Sequence, residues 1–487
     1  MLPDIRYSEE LEQRLRFQFT SKLVTLIPIS IESRIMKPIQ DLRWHSYFAG
    51  ITLRTGCFSF LLCPLLFVIV LHCSANAAEL EQRLPTSSSN AALHYQRAIL
   101  FLADVDVEKR KLLEKPIWEI VTPETSADEL KAIDALLVAS RYAIRSALIG
   151  AAQANADFGA DLSAYSAGTL LPHVGPMQHL AKLVALYGMQ QQAEGNWEKS
   201  AQLYLDVIRM GQHMGEQLTL AESVEAVRIL ETGFHALSAW AVHCPDPKLI
   251  RQVRSLLSAI APNPLSPATV IGYEAALVDL RLKELKEAYP DGNWAELMLV
   301  VTEGQPDHLD QASVREFVQA EAIKRGVPES VFADETSFDE FIENLRTVNA
   351  EYYERMLDGL SLPLGKAIGV GQQIYKEFAP KLMRLGDPET LNPGQISAYY
   401  ASHAAEHNLA DVVLALSANK QGELFPNELS KVASDFGGVL PQGPTGNKVS
   451  YKVSPDQKGF RISYPGAKIG EVEIPEIAFD YGGGKGR

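Results

Sequence analysis

The string His403-Ala404-Ala405-Glu406-His407 holds the residue types and spacing best suited to chemistry. On a helix, His403 and His407 stand one turn apart on one face and can ligate zinc, with Glu406 beside them as a general base. A hydrolytic zinc centre also needs a third protein ligand and an open position for water. Glu423 and Glu428 are the downstream carboxylates available for that role. The simpler expectation is a pair of histidines on a helix face with no metal, and it is preferred. The sequence therefore implies no cofactor, with zinc on His403 and His407 as the alternative.

The other candidates are weaker. His173 and His179, in LPHVGPMQHL, flank a Pro/Gly turn and fit a helix terminus better than a metal site. His213, His235 and His243 are scattered and read as packing or surface residues. Cys244 sits at an apolar helix end, where a buried inert thiol is expected. Gly365-Lys366-Ala367-Ile368-Gly369-Val370-Gly371 has the wrong glycine spacing for a dinucleotide fingerprint and reads as a flexible connection. No nucleophile elbow and no phosphate-binding loop is present. The acidic pair Asp339-Glu340 falls in a helix first turn, where the helix dipole accounts for it.

These residues must be carried by helices. Apolar periodicity of 3.6 dominates residues 88 to 420. Asn90 can cap a helix with Ala91, Tyr95, Ala98, Ile99 and Leu102 on its apolar side. Ser126 with Glu129, Thr219 with Glu222, and Ser337 with Glu340 are capping boxes. They predict helices running to about Gly150, to a point before Pro245, and to about Gly359. Further amphipathic runs cover Tyr273 to Ala288, Val314 to Arg325 and Gly394 to Lys420, with Gly/Pro-rich breaks at 360–371 and 386–393. Pro262, Pro264 and Pro267 punctuate the chain and suggest a boundary between helical segments 78–261 and 268–420. In residues 177 to 215 two helical runs, 177–192 and 197–215, flank a turn at Gly195. Gly188 permits close approach, and Trp197 and Tyr204 are expected to fill the space between. After Lys420, residues 421 to 487 turn rich in Gly and Pro. Short runs at Val449 to Val453, Phe460 to Tyr464 and Gly470 to Ile474 read as antiparallel strands, and the segment from Tyr481 onward as a disordered tail.

Gly188, Gly195, Ser200 and Tyr204 fall at the spacing of a tetratricopeptide repeat, which the hairpin resembles over about 34 residues. Stepping one repeat onward reaches Ile229, so no regular array follows. The order Gly422, Pro426, Leu429, Pro441, Pro444-Thr445-Gly446, Tyr451 and Gly459-Phe460-Arg461-Ile462 resembles the C-terminal module of uncharacterised exported bacterial helical proteins. It is also distantly similar to the globular end of type II secretion pseudopilins. In some of those a late Asp/Gly-rich loop holds calcium, and Asp480-Tyr481-Gly482 is a poor version of it. The pseudopilin N-terminal helix has no counterpart here. The helical strings NAALHYQRAI and AEGNWEKSAQLYLDVIRMGQHMG resemble the same exported group, which implies no established activity. The H-x-x-E-H string matches inverzincins in spacing alone.

Residues 55 to 73 form an apolar block preceded by Arg54 and followed by Ser74-Ala75-Asn76-Ala77. This is the pattern of a secretory signal cleaved after Ala77, with Met36 as a better start and Lys37, Arg43 and Arg54 as the charged region. An uncleaved N-terminal membrane anchor is the alternative; Pro64 in the middle of the span argues against it. Residues 1–77 are set aside from the fold. Cys57, Cys63 and Cys73 lie in that leader, so Cys244 alone remains and no internal disulfide is expected. With 60 acidic against 45 basic residues, the net charge of -15 disfavours nucleic-acid and membrane-surface binding. The expected fold class is mainly α, an irregular α/α helical-hairpin stack, tetratricopeptide-like in part, with a small C-terminal antiparallel β module. The expected function is an exported scaffold that binds a protein or peptide; the alternative is a zinc-dependent hydrolase acting through His403, Glu406 and His407.

Overall fold

Helix starts are set by side-chain oxygens that accept from first-turn amides otherwise left unpaired. The computed structural model describes residues 89–120, 125–159, 171–217, 219–262, 265–288, 320, 338–384, 392–443 and 445–482. Asn90 accepts from the Ala92 amide and opens α1 (Ala91–Ala103). Asp106 opens the single turn α2 (Val107–Arg110), and α3 (Ile117–Ile120) follows. Both legs of the Ser126–Glu129 capping box are formed at α4 (Ala127–Ala139). The single helix expected from there to Gly150 is two. Ser140, at φ -92° and ψ 8°, leaves helical backbone values, and α5 (Arg141–Ala151) begins anew. The turn lets α5 lie antiparallel to α1. Gly150 meets Ala91 and Tyr95 at one end of the pair, and Tyr142 meets Phe101 at the other, with ring centroids 5.8 Å apart.

The next pair, α6 (Val174–Ala193) and α7 (Trp197–Gly215), is the hairpin expected from the sequence. Gly195 turns the chain at φ 80°, in the left-handed region that favours glycine. A Cβ on Gly188 would stand 2.5 Å from Tyr204 Cε1, so only glycine lets the tyrosine ring lie flat on α6. Tyr204 is buried, but Trp197 is only half-buried. Its indole therefore does not fill the hairpin; it leans on the edge of a cluster centred on Trp240, whose Nε1 donates to the Trp197 carbonyl at 3.1 Å.

The second complete capping box, Thr219 with Glu222, opens α8 (Leu220–His243). Asp246 caps α9 (Pro247–Ile260), and α10 (Pro267–Ala288), α11 (Phe338–Leu360) and α12 (Leu364–Arg384) follow. Helix α12 overturns the expected flexible connection at 365–371. Its glycines serve packing: a Cβ on Gly371 would stand 2.6 Å from the Gly394 amide nitrogen, so α12 presses backbone to backbone on the start of α13 (Pro393–Ala418). Ile368 and Ala367, between those glycines, are buried. Helix α13 packs on α8, α9 and α12. Arg254 of α9 forks onto Asp411 of α13, at 2.5 and 3.2 Å, and reaches the Asp435 carbonyl beyond it. Among the described residues 70% are helical.

Beyond α13 a 3-10 segment, Leu429–Phe436, leads into β1 (Ser450–Val453), β2 (Phe460–Tyr464), β3 (Ala467–Ile469), β4 (Val472–Ile474) and β5 (Ile477–Tyr481). The order β1-β2-β5 forms an antiparallel sheet, with Phe460 opposite Tyr481, and β3-β4 is a separate hairpin. Tyr481 thus belongs to a strand, not to a disordered tail. Its neighbour Asp480 is bound by Arg461 across the sheet. Phe460, Ile462 and Tyr464 point from β2 into the cluster that covers α13. The leader (1–77), Ser337 and all of the expected helix Val314 to Arg325 except residue 320 lie outside the described residues. Among those described, no helix is long and apolar enough to cross a membrane.

Glycine substitutions on α6 separate two effects. Gly188→Ala should destabilise by about 1–3 kcal/mol through the clash with Tyr204. Gly175→Ala, exposed and with no atom within 4 Å of the added Cβ, should be neutral or stabilise by up to about 1 kcal/mol. Equilibrium denaturation of both variants checks the opposite signs. Likewise Trp240→Ala should cost about 3–5 kcal/mol, and Trp197→Ala clearly less because part of its surface already meets water; equal losses would contradict the packing described.

Candidate functional site

Helix α13 brings His403, Glu406 and His407 to its contact with α8. The spacing places both imidazoles on one side, as the string requires, but that side faces a phenylalanine. The Phe234 ring stacks on His403 with centroids 5.9 Å apart and meets His407 edge-on at 5.3 Å. His407 Nε2 donates to the Ala261 carbonyl at 2.8 Å. His403 is fully buried, and neither of its ring nitrogens has a hydrogen-bond partner. Burial, aided by the neighbouring His407, lowers its pKa to about 3, so the ring is neutral at any physiological pH. Glu406 lies against Glu231 of α8. Burial first, and the second carboxyl next, push Glu406 well above the ordinary carboxyl range.

This arrangement does not suit zinc hydrolysis. The Phe234 ring occupies the side on which both imidazoles lie, and the burial that raises the Glu406 pKa disfavours the carboxylate form that a general base needs. The two downstream carboxylates are used elsewhere: Glu423 binds Lys458 at 2.5 Å, and Glu428 accepts from the Ser430 hydroxyl at 3.0 Å. Among the described residues no three of His, Cys, Asp and Glu gather closely enough to hold a metal ion. Sequence spacing predicts the shared face correctly; it carries no sign of Phe234, about 170 residues away, which fills the space in front of it.

A second polar cluster lies where α1, α6, α7 and α8 meet. The Tyr95 hydroxyl donates to His213 Nδ1 at 2.7 Å, and the Gln153 carbonyl takes the other side of the imidazole. Burial lowers the His213 pKa to about 4, so it stays neutral. Phe158 is sandwiched between Tyr95, at 6.2 Å, and His173, at 4.1 Å. His173 Nε2 pairs with Glu222 Oε1 at 2.8 Å. The other Glu222 oxygen accepts from the Thr219 amide and hydroxyl. The histidine–carboxylate pair resembles a catalytic orienting pair, and the neighbouring Thr219 hydroxyl already donates to Glu222. The pair clamps the starts of α6 and α8 together. His173 thus takes the helix-terminus role expected of it, while its partner, 49 residues on, left no signal beyond the capping box.

His179 is part-buried, with its pKa lowered chiefly by burial. Cys244 is buried, and burial raises its thiol above the usual range. Its nearest polar contact is the Asp246 carbonyl at 3.8 Å. A thiol held protonated in this way is a poor nucleophile. Below it opens a shallow concavity of about 620 Å³ between the start of α9 and the end of α13. Two of its three cations are engaged, Arg251 with the Ala418 carbonyl and Lys420 with the Val242 carbonyl, and Lys248 is the third.

No protein-family model matches this chain, and neither a curated protein nor a solved structure matches it.

The neutral burial of His403 sets a pH dependence. Unfolded, this histidine has a pKa near 6.5; folded, it is lowered to about 3. The unfolded chain therefore binds the extra proton first, and stability falls as pH drops from about 7 toward 3. His403→Phe should remove that loss, narrowing the difference between pH 7 and pH 4.5 by on the order of 2 kcal/mol. Urea denaturation of both proteins at the two pH values measures it; an unchanged pH difference would show that His403 is not buried neutral.

Proposed function

We propose that this chain is an exported helical scaffold that binds a protein or peptide partner. One observation carries the proposal. Among the described residues twelve large hydrophobic side chains stand exposed, and eight belong to the first helices: Leu93, Leu100, Phe101, Val107, Leu130, Val138, Tyr142 and Ile149. The other four, Leu256, Leu362, Leu424 and Val439, are scattered along the chain, and His403 and Cys244 are buried. A concentration of exposed apolar side chains at one end of a helical stack supports a docking role. The tetratricopeptide-like hairpin beside them supports the same reading, since stacked hairpins present extended binding faces. Export rests on the sequence pattern ending at Ala77.

The test is site-specific photocrosslinking in cells producing the full chain. A photoreactive residue at Leu100 or Val138, 69% and 63% exposed, should yield discrete adducts with one partner. The same residue at Val439, 72% exposed but far along the chain, should not. Absence of adducts from every apolar position, or a hydrolytic activity abolished by Glu406→Gln, would overturn the proposal.

A further inference from the structure

Helices α1 and α5 form an unusual surface for so acidic a chain. Neither helix contains an Asp or Glu. Together they expose Arg97, Arg141 and Arg145, and among the described residues none of these forms an ion pair. Exposed positions on α1 repeat at helical spacing: Leu93, Arg97, Leu100 and Phe101. On α5 they are Tyr142, Arg145 and Ile149. The two helices are antiparallel, so Leu93 stands level with Ile149, Arg97 level with Arg145, and Phe101 touches Tyr142. The face thus carries apolar side chains toward both ends and two arginines across its middle, with Asp104, Asp106 and Lys109 at the rim beyond Phe101. Between Phe101, Val105, Ala139 and Tyr142 lies a concavity of about 300 Å³, rimmed on one side by Asp104, Asp106 and Lys109. The Arg141 guanidinium lies over the Tyr142 ring at 4.6 Å and holds its hydroxyl below the usual phenol range.

Two antiparallel helices leave a groove that accepts a third helix packed along them. The charge on this groove selects what that helix carries. An uncompensated pair of arginines at mid-groove attracts carboxylates and repels a basic segment. Apolar positions on either side require a partner with an apolar stripe. Resting on the scaffold reading above, we propose that the α1–α5 face docks an acidic amphipathic helix of a partner protein, with its carboxylates on Arg97 and Arg145 and an apolar anchor in the concavity beside Phe101 and Tyr142. A bilayer surface fits less well. It would meet a body with an acidic excess of fifteen charges, and it has no single anchor for a discrete concavity.

Fluorescence anisotropy with the full chain tests this. The probes are two labelled helical peptides of about five turns with the same leucine stripe, one flanked by Glu and the other by Lys. The Glu peptide should bind at least about tenfold more tightly, and less so as salt rises. Phe101→Asp should weaken it by about tenfold. The double variant Arg97→Glu with Arg145→Glu should reverse the preference between the two peptides. All three positions are exposed, and an unchanged melting temperature confirms the fold of each variant. No binding, equal binding of both peptides, or variants that change nothing would overturn the proposal. So would binding confined to phosphatidylglycerol vesicles, which would make the face a membrane surface. Photocrosslinks from Val138 in the absence of any peptide response would remove this inference and leave the scaffold reading in place.

Discussion

Helix α13 has no side that can face water. Of its 26 residues, 19 are buried, spread around the whole circumference. A helix that is apolar all round is stable only when every side is covered, and the architecture supplies one cover per side. Helices α8 and α9 lie on it from the first helical segment, α12 from the second, and β2, β4 and β5 from the C-terminal module. Few of those elements bury their own apolar face without it. Its few polar residues carry the cost of that position: Ser397, Ser417 and His403 are fully buried with side-chain atoms that find no partner.

That constraint explains why the catalytic-looking string is enclosed. In an amphipathic helix, two histidines one turn apart have an open side available to a substrate. In α13 the same spacing lies against Phe234, because there is no open side to occupy. The burial that keeps His403 neutral and raises the Glu406 pKa is the burial that lets α13 pack against α8, α9 and α12.

Local signals were legible where the physics is local. The capping boxes at Ser126 and Thr219 form as written, and Gly188 and Gly195 serve the close approach and the turn that their spacing indicates. Signals that depend on a distant partner misled. Glycines at 365, 369 and 371 read as a flexible break, but they belong to a helix that needs them to reach the backbone at Gly394. Tyr481 read as tail because Gly follows it, while its strand pairing depends on Phe460. Trp197 read as hairpin filling, a role that Tyr204 holds alone; the indole at the centre of that cluster is Trp240, one helix further on. For the candidate site, the pairing of His403 with His407 was visible, and the ring that seals it was not. The cationic, apolar face of α1 and α5 was written in the sequence, but only the antiparallel pairing after Ser140 brings its two halves together.

The covering of α13 also has an order in time. The chain emerges from its N-terminus, so α8, α9 and α12 exist before α13, while β2, β4 and β5 follow it by about 40 to 60 residues. During that interval Leu409, Val412, Val413 and Leu416 have no sheet to cover them, although all are buried at the end. A nascent chain in this state presents a greasy helical ridge to whatever meets it first. Threading through a narrow export channel, which keeps the polypeptide extended until the strands have passed, would let helix and cover arrive together and shield that ridge from aggregation.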